Sequence, residues 1–175
     1  HGCERVAIHC APDRRRRDLS SLRSVLLGGA PAAPALIRRI VAELGVTVSV
    51  RYSSTEVGIA TASLPDDPPE RLVSTVGRAT AGVELRIVDA DNRPQPADGV
   101  GEVVVRSPAT MTGYWRAAEL TARVRDADGW IHTGDIGFLD RDGYLHLVGR
   151  QSEMFIRGGY NVFPEEVEAV LGRHP

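Results

Sequence analysis

Two apolar runs on either side of one amphipathic segment constrain the fold of this 175-residue chain more than any other feature. The runs are residues 22–27 and 46–50, and the apolar positions between them that recur at helical spacing are Leu36, Ile37, Ile40, Val41 and Leu44. Pro34 suits the first turn of a helix and Gly45 suits its end. A strand, a helix and a strand with short connections form a βαβ unit, which predicts two parallel strands with the helix packed on their sheet.

The residues that follow the two predicted strands occupy the position where open α/β sheets bind ligands. They are Gly28, Gly29, Ala30 and Pro31 after the first strand, and Tyr52, Ser53, Thr55 and Glu56 after the second. Glycine lets a flat ring approach the backbone, tyrosine offers a stacking face, threonine offers a hydroxyl to phosphate, and glutamate is a hard ligand for Mg²⁺. Taken singly, the glycines suit a helix-entry turn and Tyr52 a half-buried strand end. In this order, the groups favour an ATP site.

A D-x-D-G turn at residues 140–143 separates two further apolar runs, residues 136–139 and 144–148. Such a turn between such runs predicts a β-hairpin. Asp135 then lies just before the hairpin and Arg150 just after it, so both side chains emerge at the same end. A carboxylate accepts hydrogen bonds from a ribose diol and a guanidinium donates to phosphate or ester oxygens, so the pair suits a nucleotide sugar.

The middle of the chain has the pattern of a second, all-β region. Residues 83–88 and 99–106 predict two strands joined by a polar turn, and their half-buried positions are Leu85, Ile87, Val103 and Val105. We expect the aromatic pair Tyr114 and Trp115 to be buried and to anchor a loop, and Met154 and Phe155 to lie in the core. His132 is interpreted as a hydrogen-bonding residue rather than an acid or base.

Composition and charge exclude several classes of partner. The net charge is -2 and the pI about 6.2, so no chain-wide basic field favours nucleic acid or anionic lipid. The two cysteines, Cys3 and Cys10, suit neither a disulfide scaffold nor a zinc site, and the arginine run at 14–17 is interpreted as a solvated turn. The chain has no 18-residue apolar run and no leader, so we expect no membrane span. We expect a cytoplasmic location. Because the chain begins with His1, we expect it to be a piece of a longer protein.

Several motifs, in the same order, resemble those of the adenylate-forming (AMP-binding) acyl-CoA synthetases, a superfamily that also holds peptide-synthetase adenylation domains. They are, in chain order, Gly77-Arg78, Gly101-Glu102-Val103, Thr112-Gly113-Tyr114-Trp115, His132-Thr133-Gly134-Asp135, Gly149-Arg150 and residues 156–168, IRGGYNVFPEEVE. The resemblance covers nearly the whole chain but only the middle and late part of the family's longer sequence.

The resemblance implies a role for each candidate site residue. The segment that lines the adenine corresponds to Gly28, Gly29, Ala30 and Pro31, and the nucleotide is further bound by Tyr52, Ser53, Thr55, Asp135 and Arg150. Tyr52 is expected to stack on the base, and Ser53 stands where the family often has glycine. The candidate catalytic residues are Thr55, Glu56 and Arg150, with Glu56 as the metal ligand.

The implied fold class is α/β with two domains. Residues 1–149 correspond to the late part of the large AMP-binding domain, divided into an α/β portion at 1–75 and a mainly β, barrel-like subdomain at 76–149. Residues 150–152 correspond to a hinge, with Ser152 where the family usually has Asp or Lys, and residues 153–175 begin a small α+β domain. Gly158 and Gly159 match the loop that lines the pantetheine tunnel for coenzyme A.

The implied reaction is an ATP-dependent ligation of a fatty or aryl carboxylic acid to coenzyme A, with ATP and Mg²⁺. The carboxylate attacks the α-phosphate to give an acyl-adenylate, and the CoA thiol then displaces AMP. The family also uses a phosphate loop and an adenylating lysine, whereas this chain has no such loop and all 21 of its basic residues are arginine. We therefore expect these 175 residues alone to be inactive. Two alternatives stay open: an adenylation domain that loads a carrier protein, and a non-catalytic adenylate-binding module.

Overall fold

The computed structural model describes residues 18–30 and 32–171, and within them it has the mixed α/β architecture that the sequence predicts. Three sheets and four helices lie in this part of the chain. Pro31, the two cysteines and the arginine run at 14–17 lie outside the described residues. No helix in the described ranges is long and apolar enough to cross a membrane.

The first sheet contains the predicted βαβ unit. Its strands, in spatial order, are β1 (Ser24–Gly28), β2 (Thr47–Ser54), β3 (Gly58–Ala62) and β4 (Arg78–Ala79). β1 and β2 are parallel, whereas β3 is antiparallel to β2 and to β4. β2 runs to Ser54 because its last residues pair with β3, with Tyr52 opposite Thr61. The expectation that Tyr52 and Ser53 follow the strand is therefore wrong, since both lie within it.

Helix α1 (Pro34–Leu44) connects β1 to β2 and ends as predicted. Gly45 adopts a left-handed φ of 62°, and its N–H donates to the carbonyl of Val41. Ile37 and Ile40 are 3% and 6% exposed and pack on the valines of β2. Burial of each isoleucine contributes about 1.5–3 kcal/mol, so this apolar face fixes the helix to the sheet.

The second sheet is an antiparallel meander that shares a core with the first. Its strands are β5 (Glu84–Val88), β6 (Gly101–Arg106), β7 (Ile131–Leu139) and β8 (Leu145–Arg150), paired in chain order. Val103, Val105, Ile131 and Leu145 are at most 1% exposed and form one cluster with Tyr52 and neighbouring residues. The predicted burial of Ile87, Val103 and Val105 is confirmed. Val104 is buried as well, because Trp130 covers the opposite face.

A polar cluster attaches the turn of the β7–β8 hairpin to the first sheet. Arg71, on helix α2 (Pro69–Ser74), lies 2.5 Å from a carboxylate oxygen of Asp140 and of Asp142. Its guanidinium lies 4.5 Å from the ring centroid of Tyr144, whose hydroxyl donates to the buried Asp67 at 2.6 Å. The hairpin that carries the predicted Asp and Arg is thus held at its turn end, so the opposite end has a defined position.

The remaining elements are a short helix before β7 and, after β8, a two-stranded hairpin and a helix. Helix α3 (Ala118–Val124) precedes β7, and the hairpin of β9 (Phe155–Arg157) and β10 (Tyr160–Val162) precedes helix α4 (Pro164–Leu171). Gly158 and Gly159 form the hairpin turn, with φ of 59° and 85°. Phe155 is 48% exposed and Met154 is half-buried, so the core position expected for Phe155 is wrong. Two strands form only one layer, and no element among the described residues covers this ring fully.

Candidate functional site

Side chains from three segments that are far apart in the sequence meet where β2, β7 and β8 come together. The hydroxyl of Tyr52 donates to Oδ2 of Asp135 at 2.5 Å. Nε of Arg150 lies 2.9 Å from Oδ1 of the same carboxylate. Glu56, in the turn after β2, lies within the field of the Arg150 charge. The structure therefore brings into contact three of the residues that the sequence predicts for a nucleotide site, and the charge of one of them, Arg150, acts on the fourth.

Asp135 and Arg150 lie at the same end of the β7–β8 hairpin, as its turn sequence predicts, and a register shift between Ile136 and Gly137 places them opposite each other. They are direct partners in the strand register, at the end away from residues 140–143. The Asp135 side chain is 16% exposed and the Arg150 side chain is 55% exposed. A terminal nitrogen of Arg150 also donates to the carbonyl of Thr133 at 3.2 Å. The carboxylate is therefore held in place while the guanidinium keeps an open side for a ligand.

The backbone before Asp135 is pinned by Glu102 on β6. One carboxylate oxygen of Glu102 accepts the N–H of Gly134 at 3.0 Å, and the other lies 2.8 Å from Nδ1 of His132. The hydroxyl of Thr133 donates to the Val103 carbonyl at 2.7 Å. The interpretation of His132 as a hydrogen-bonding residue agrees with this contact. Sequence reasoning missed Glu102 as a site residue, because its partners lie 30 or more positions away.

Tyr52 orients Asp135 from within the core. Its side chain is 8% exposed and packs with Val57 and Ala60. Burial raises the pKa of the Tyr52 phenol well above its ordinary value, and the hydrogen bond to Asp135 raises it further. The phenol therefore stays protonated and donates to the carboxylate. A stacking role needs a ring face open to a ligand, and it stays a prediction.

Glu56 is an ionised carboxylate with a fixed backbone. Its N–H donates to the Ser54 hydroxyl at 3.2 Å, and its carbonyl accepts the N–H of Met111 at 2.8 Å. The hydroxyl of Tyr114 donates to Oε1 at 2.8 Å. That hydrogen bond lowers the pKa of Glu56, and the charge of Arg150 adds to the effect.

The expectation that Tyr114 and Trp115 are a buried pair is wrong. Tyr114 is 36% exposed and Trp115 is 85% exposed. They lie in a loop outside the sheets, where the Arg116 guanidinium lies 5.5 Å from the Trp115 ring. Tyr114 belongs to the site instead, through Glu56. Aromatic residues are buried by default, and no local pattern reveals an acidic partner 58 positions away.

The predicted adenine segment lies at the carboxyl end of β1, one strand away from Tyr52. Gly28 is the last residue of β1 and pairs with Arg51, and a Cβ on Gly28 would lie 3.0 Å from the Arg51 carbonyl oxygen. Gly29 has a φ of 78°, and both it and Ala30 are exposed. Thr55 is also exposed, in the turn before β3. These positions suit an approaching ligand, and their roles remain predictions.

The predicted hinge and coenzyme A residues lie beyond β8. Ser152 is exposed in a turn in which the N–H groups of Glu153 and Met154 donate to the carbonyl of Arg150, both at 3.1 Å. A Cβ on Gly158 or Gly159 would meet nothing within 4 Å, so the hairpin turn is open to solvent. The hinge and the coenzyme A contact stay predictions.

The residues fit a metal ion that arrives with a nucleotide. Among the described residues, no group of three or more His, Cys, Asp or Glu could hold a metal ion. Mg²⁺ is usually held by one or two carboxylates together with substrate phosphates. Glu56 is ionised, half-buried and next to Thr55, so it can supply that one carboxylate.

Comparisons with known proteins find a matching family model and similar ligases. Residues 3–115 match the family model described as AMP-binding enzyme. The 3-[(3aS,4S,7aS)-7a-methyl-1,5-dioxo-octahydro-1H-inden-4-yl]propanoyl:CoA ligase of Rhodococcus jostii is 43% identical over 163 residues, which are 93% of this chain and 30% of that protein. A fatty acid–[acyl-carrier-protein] ligase, ScoC, of Streptomyces coeruleorubidus is 36% identical over 162 residues, which are 91% of this chain and 31% of that protein.

The solved structure of the amide bond synthetase McbA from Marinactinospora thermotolerans has a similar fold. Its TM-score is 0.86 at 43% identity, and the match covers 97% of this chain and 34% of that one. The chain thus spans about a third or less of the length of each of these relatives.

Proposed function

The chain belongs to the AMP-binding enzyme family, and on that premise we propose that it supplies part of the nucleotide site of an ATP-dependent acid–CoA ligase. The observation that carries the proposal is the meeting of Tyr52, Asp135 and Arg150 beside Glu56. The similarity to a CoA ligase from Rhodococcus jostii supports the reaction class. Because the chain spans 30% of that relative, the activity is proposed for the whole protein that contains it.

In this proposal Asp135 accepts the hydroxyls of the ribose. Its two oxygens are oriented before a ligand arrives, one by the Tyr52 hydroxyl and one by Arg150. A carboxylate in a fixed orientation loses little further freedom on binding, which favours affinity. Gly28, Gly29 and Ala30, at the end of β1, would border the base, and Pro31 is proposed to belong to the same segment.

Arg150 and the turn after β2 would act on the phosphates. The acid's carboxylate oxygen forms a bond to the α-phosphorus, and the bond from that phosphorus to the pyrophosphate oxygen breaks. Negative charge develops on the phosphoryl oxygens, and the open side of Arg150 can stabilise it. Thr55 offers a hydroxyl to a phosphate, and Glu56 would hold Mg²⁺. The metal ion, when bound, neutralises phosphate charge.

The second half-reaction would take place after movement at Ser152. In the proposed division, residues 1–149 belong to the large domain, 150–152 to the hinge and 153–175 to the small domain. The open turn at Gly158 and Gly159 would border the thiol-bearing arm of coenzyme A. The chain contains no lysine, and we infer that these 175 residues alone do not form the adenylate.

The acceptor of the acyl group differs among the similar proteins. The similar proteins named above use different acceptors according to their names: coenzyme A, an acyl carrier protein, and an amide-forming amine. All three outcomes are compatible with one adenylate site, because the acceptor enters after adenylation. We propose coenzyme A, with loading of a carrier protein as the alternative.

The test has two stages on the intact protein. Acid-dependent exchange between ATP and pyrophosphate, measured over a panel of fatty and aryl acids, is expected to require Mg²⁺. AMP release is then compared with coenzyme A, a pantetheinylated carrier protein and an amine as acceptors. Faster release with coenzyme A supports the proposal, and release with the carrier alone supports the alternative. Nucleotide binding without any exchange would instead indicate a non-catalytic module.

A further inference from the structure

The loop at residues 107–114 is tied to the turn that carries Glu56. The N–H of Met111 donates to the carbonyl of Glu56 at 2.8 Å, and the hydroxyl of Ser107 donates to the carbonyl of Val57 at 3.4 Å. A Cβ on Gly58 would lie 3.1 Å from the Ala109 side chain. These contacts set the distance between loop and turn, and none of them involves the Glu56 side chain.

The far end of the same loop is anchored to helix α3. The N–H of Tyr114 donates to the hydroxyl of Thr121 at 2.9 Å. A guanidinium nitrogen of Arg125 donates to the carbonyl of Thr112 at 3.3 Å. Because both ends of the loop are held, the Tyr114 hydroxyl reaches Glu56 from a fixed backbone position.

We propose that Tyr114 is a positioning residue for Glu56, and that its hydroxyl holds the carboxylate in the orientation that receives the metal ion of a metal–ATP complex. This inference rests on the proposed function. The Tyr114 hydroxyl donates to Oε1 of Glu56 at 2.8 Å. The Tyr114 side of this pair is partly open to solvent. Glutamate has large rotamer freedom, and a bond made before the ligand arrives removes part of the ordering cost.

Residues that orient a metal ligand leave a measurable signature. Their removal typically lowers metal affinity by about 10- to 100-fold without removal of the ligand itself. Substitution of a tyrosine with a purely structural role would lower the stability of the protein and its affinity for all ligands alike. The distinguishing quantity is therefore the gain in nucleotide affinity that the metal ion brings.

A phenol–carboxylate pair outside the proposed site supplies a matched control. Tyr144 donates to Asp67 at 2.6 Å, and the two residues are 6% and 8% exposed. No ligand can reach a pair this deeply buried. Tyr144→Phe therefore makes the same chemical change as Tyr114→Phe, away from Glu56.

The experiment measures the affinity of the intact protein for a non-hydrolysable ATP analogue with Mn²⁺ and with a chelator, and for AMP without metal, by calorimetry. The proteins are the wild type, Tyr114→Phe, Tyr144→Phe and Glu56→Gln. Tyr114→Phe is expected to lower the metal-dependent gain by about tenfold and to leave AMP affinity unchanged. Tyr144→Phe is expected to lower the melting temperature and to keep the metal-dependent gain.

Each other outcome overturns the inference in a different way. If Tyr114→Phe keeps the full metal-dependent gain while Glu56→Gln loses it, Tyr114 does not position Glu56, and the proposed function stands. If Tyr114→Phe lowers AMP affinity as much as the metal-dependent gain, its role is structural. If the wild type binds neither nucleotide, the proposed function fails and the inference fails with it.

Discussion

Asp135 on β7 lies directly opposite Arg150 on β8, and the pair is joined with Nε 2.9 Å from Oδ1. The same carboxylate accepts the buried hydroxyl of Tyr52 from the neighbouring sheet. Because the Arg150 side chain is 55% exposed, water screens this ion pair, and its contribution to stability is small. Its position at the meeting point of two sheets therefore points to ligand binding.

Asp135→Asn is expected to weaken AMP binding by about 10- to 100-fold, because hydrogen bonds to a charged group are each worth about 1.5–3 kcal/mol. Isothermal titration of AMP into the intact protein measures this change. Asp98→Asn is the matched control, since Asp98 forms an exposed pair with Arg141 at 3.6 Å. Unchanged AMP affinity in Asp135→Asn would contradict the ribose role.

Tyr52→Phe is expected to destabilise the fold by about 1–3 kcal/mol, because Oδ2 of Asp135 loses its donor in a largely buried position. The ring remains, so any stacking on a base remains as well. AMP affinity should fall because Asp135 is less well oriented. Chemical denaturation and AMP titration check both effects, with Tyr160→Phe, at a ring that is 77% exposed, as the control. Wild-type stability in Tyr52→Phe would show that the hydrogen bond has no net effect.

Gly77→Ala is expected to cost more than about 3 kcal/mol of folding free energy. Gly77 has a φ of 84°, and a Cβ there would overlap the backbone of Ala62. Its carbonyl also accepts the N–H of Leu145, a bond between the two sheets. Thermal unfolding measures the loss.

Gly143→Ala is the control for that substitution. Gly143 also has a left-handed φ, of 80°, but a Cβ there would meet nothing within 4 Å. Only the backbone cost of about 1 kcal/mol should appear. Equal losses in the two variants would mean that the close approach at Gly77 is relieved by small shifts.

Asp140 is expected to make stability depend on acid pH. Burial raises the pKa of Asp140, but hydrogen bonds from His146 and from two amides of the turn, together with the Arg71 charge, outweigh it and lower the pKa. A carboxyl with a lowered folded-state pKa stabilises the fold above its unfolded value, about 3.9, and this contribution is lost as the pH falls through the folded value. The melting temperature should therefore decrease from about pH 5 downward.

Asp140→Asn should flatten that acid-side decrease, since the substituted side chain does not titrate. Asp66→Asn, on an exposed loop, serves as the control and should keep the wild-type profile. Parallel profiles for the wild type and Asp140→Asn would contradict a stabilising role for the Asp140 carboxylate. Melting temperatures at a series of pH values, at constant ionic strength, make the comparison.

Local sequence patterns predicted the elements that present Asp135 and Arg150. The helical spacing before Gly45 predicted α1 and the parallel pairing of β1 with β2. The D-x-D-G turn predicted the hairpin and the end of it at which both side chains lie. These features need only the geometry of neighbouring residues. The register shift between Ile136 and Gly137, which places Arg150 opposite Asp135, does not follow from the turn.

Tertiary structure alone decided the partners of those side chains. Tyr114 and Glu56 are separated by 58 positions, and Tyr52 and Asp135 by 83. Periodicity tells which face of an element is buried, but which residue of another sheet lies across from it depends on how the two sheets pack. The exposure of Trp115 was misjudged for the same reason, since its ring is apolar but no described element covers it.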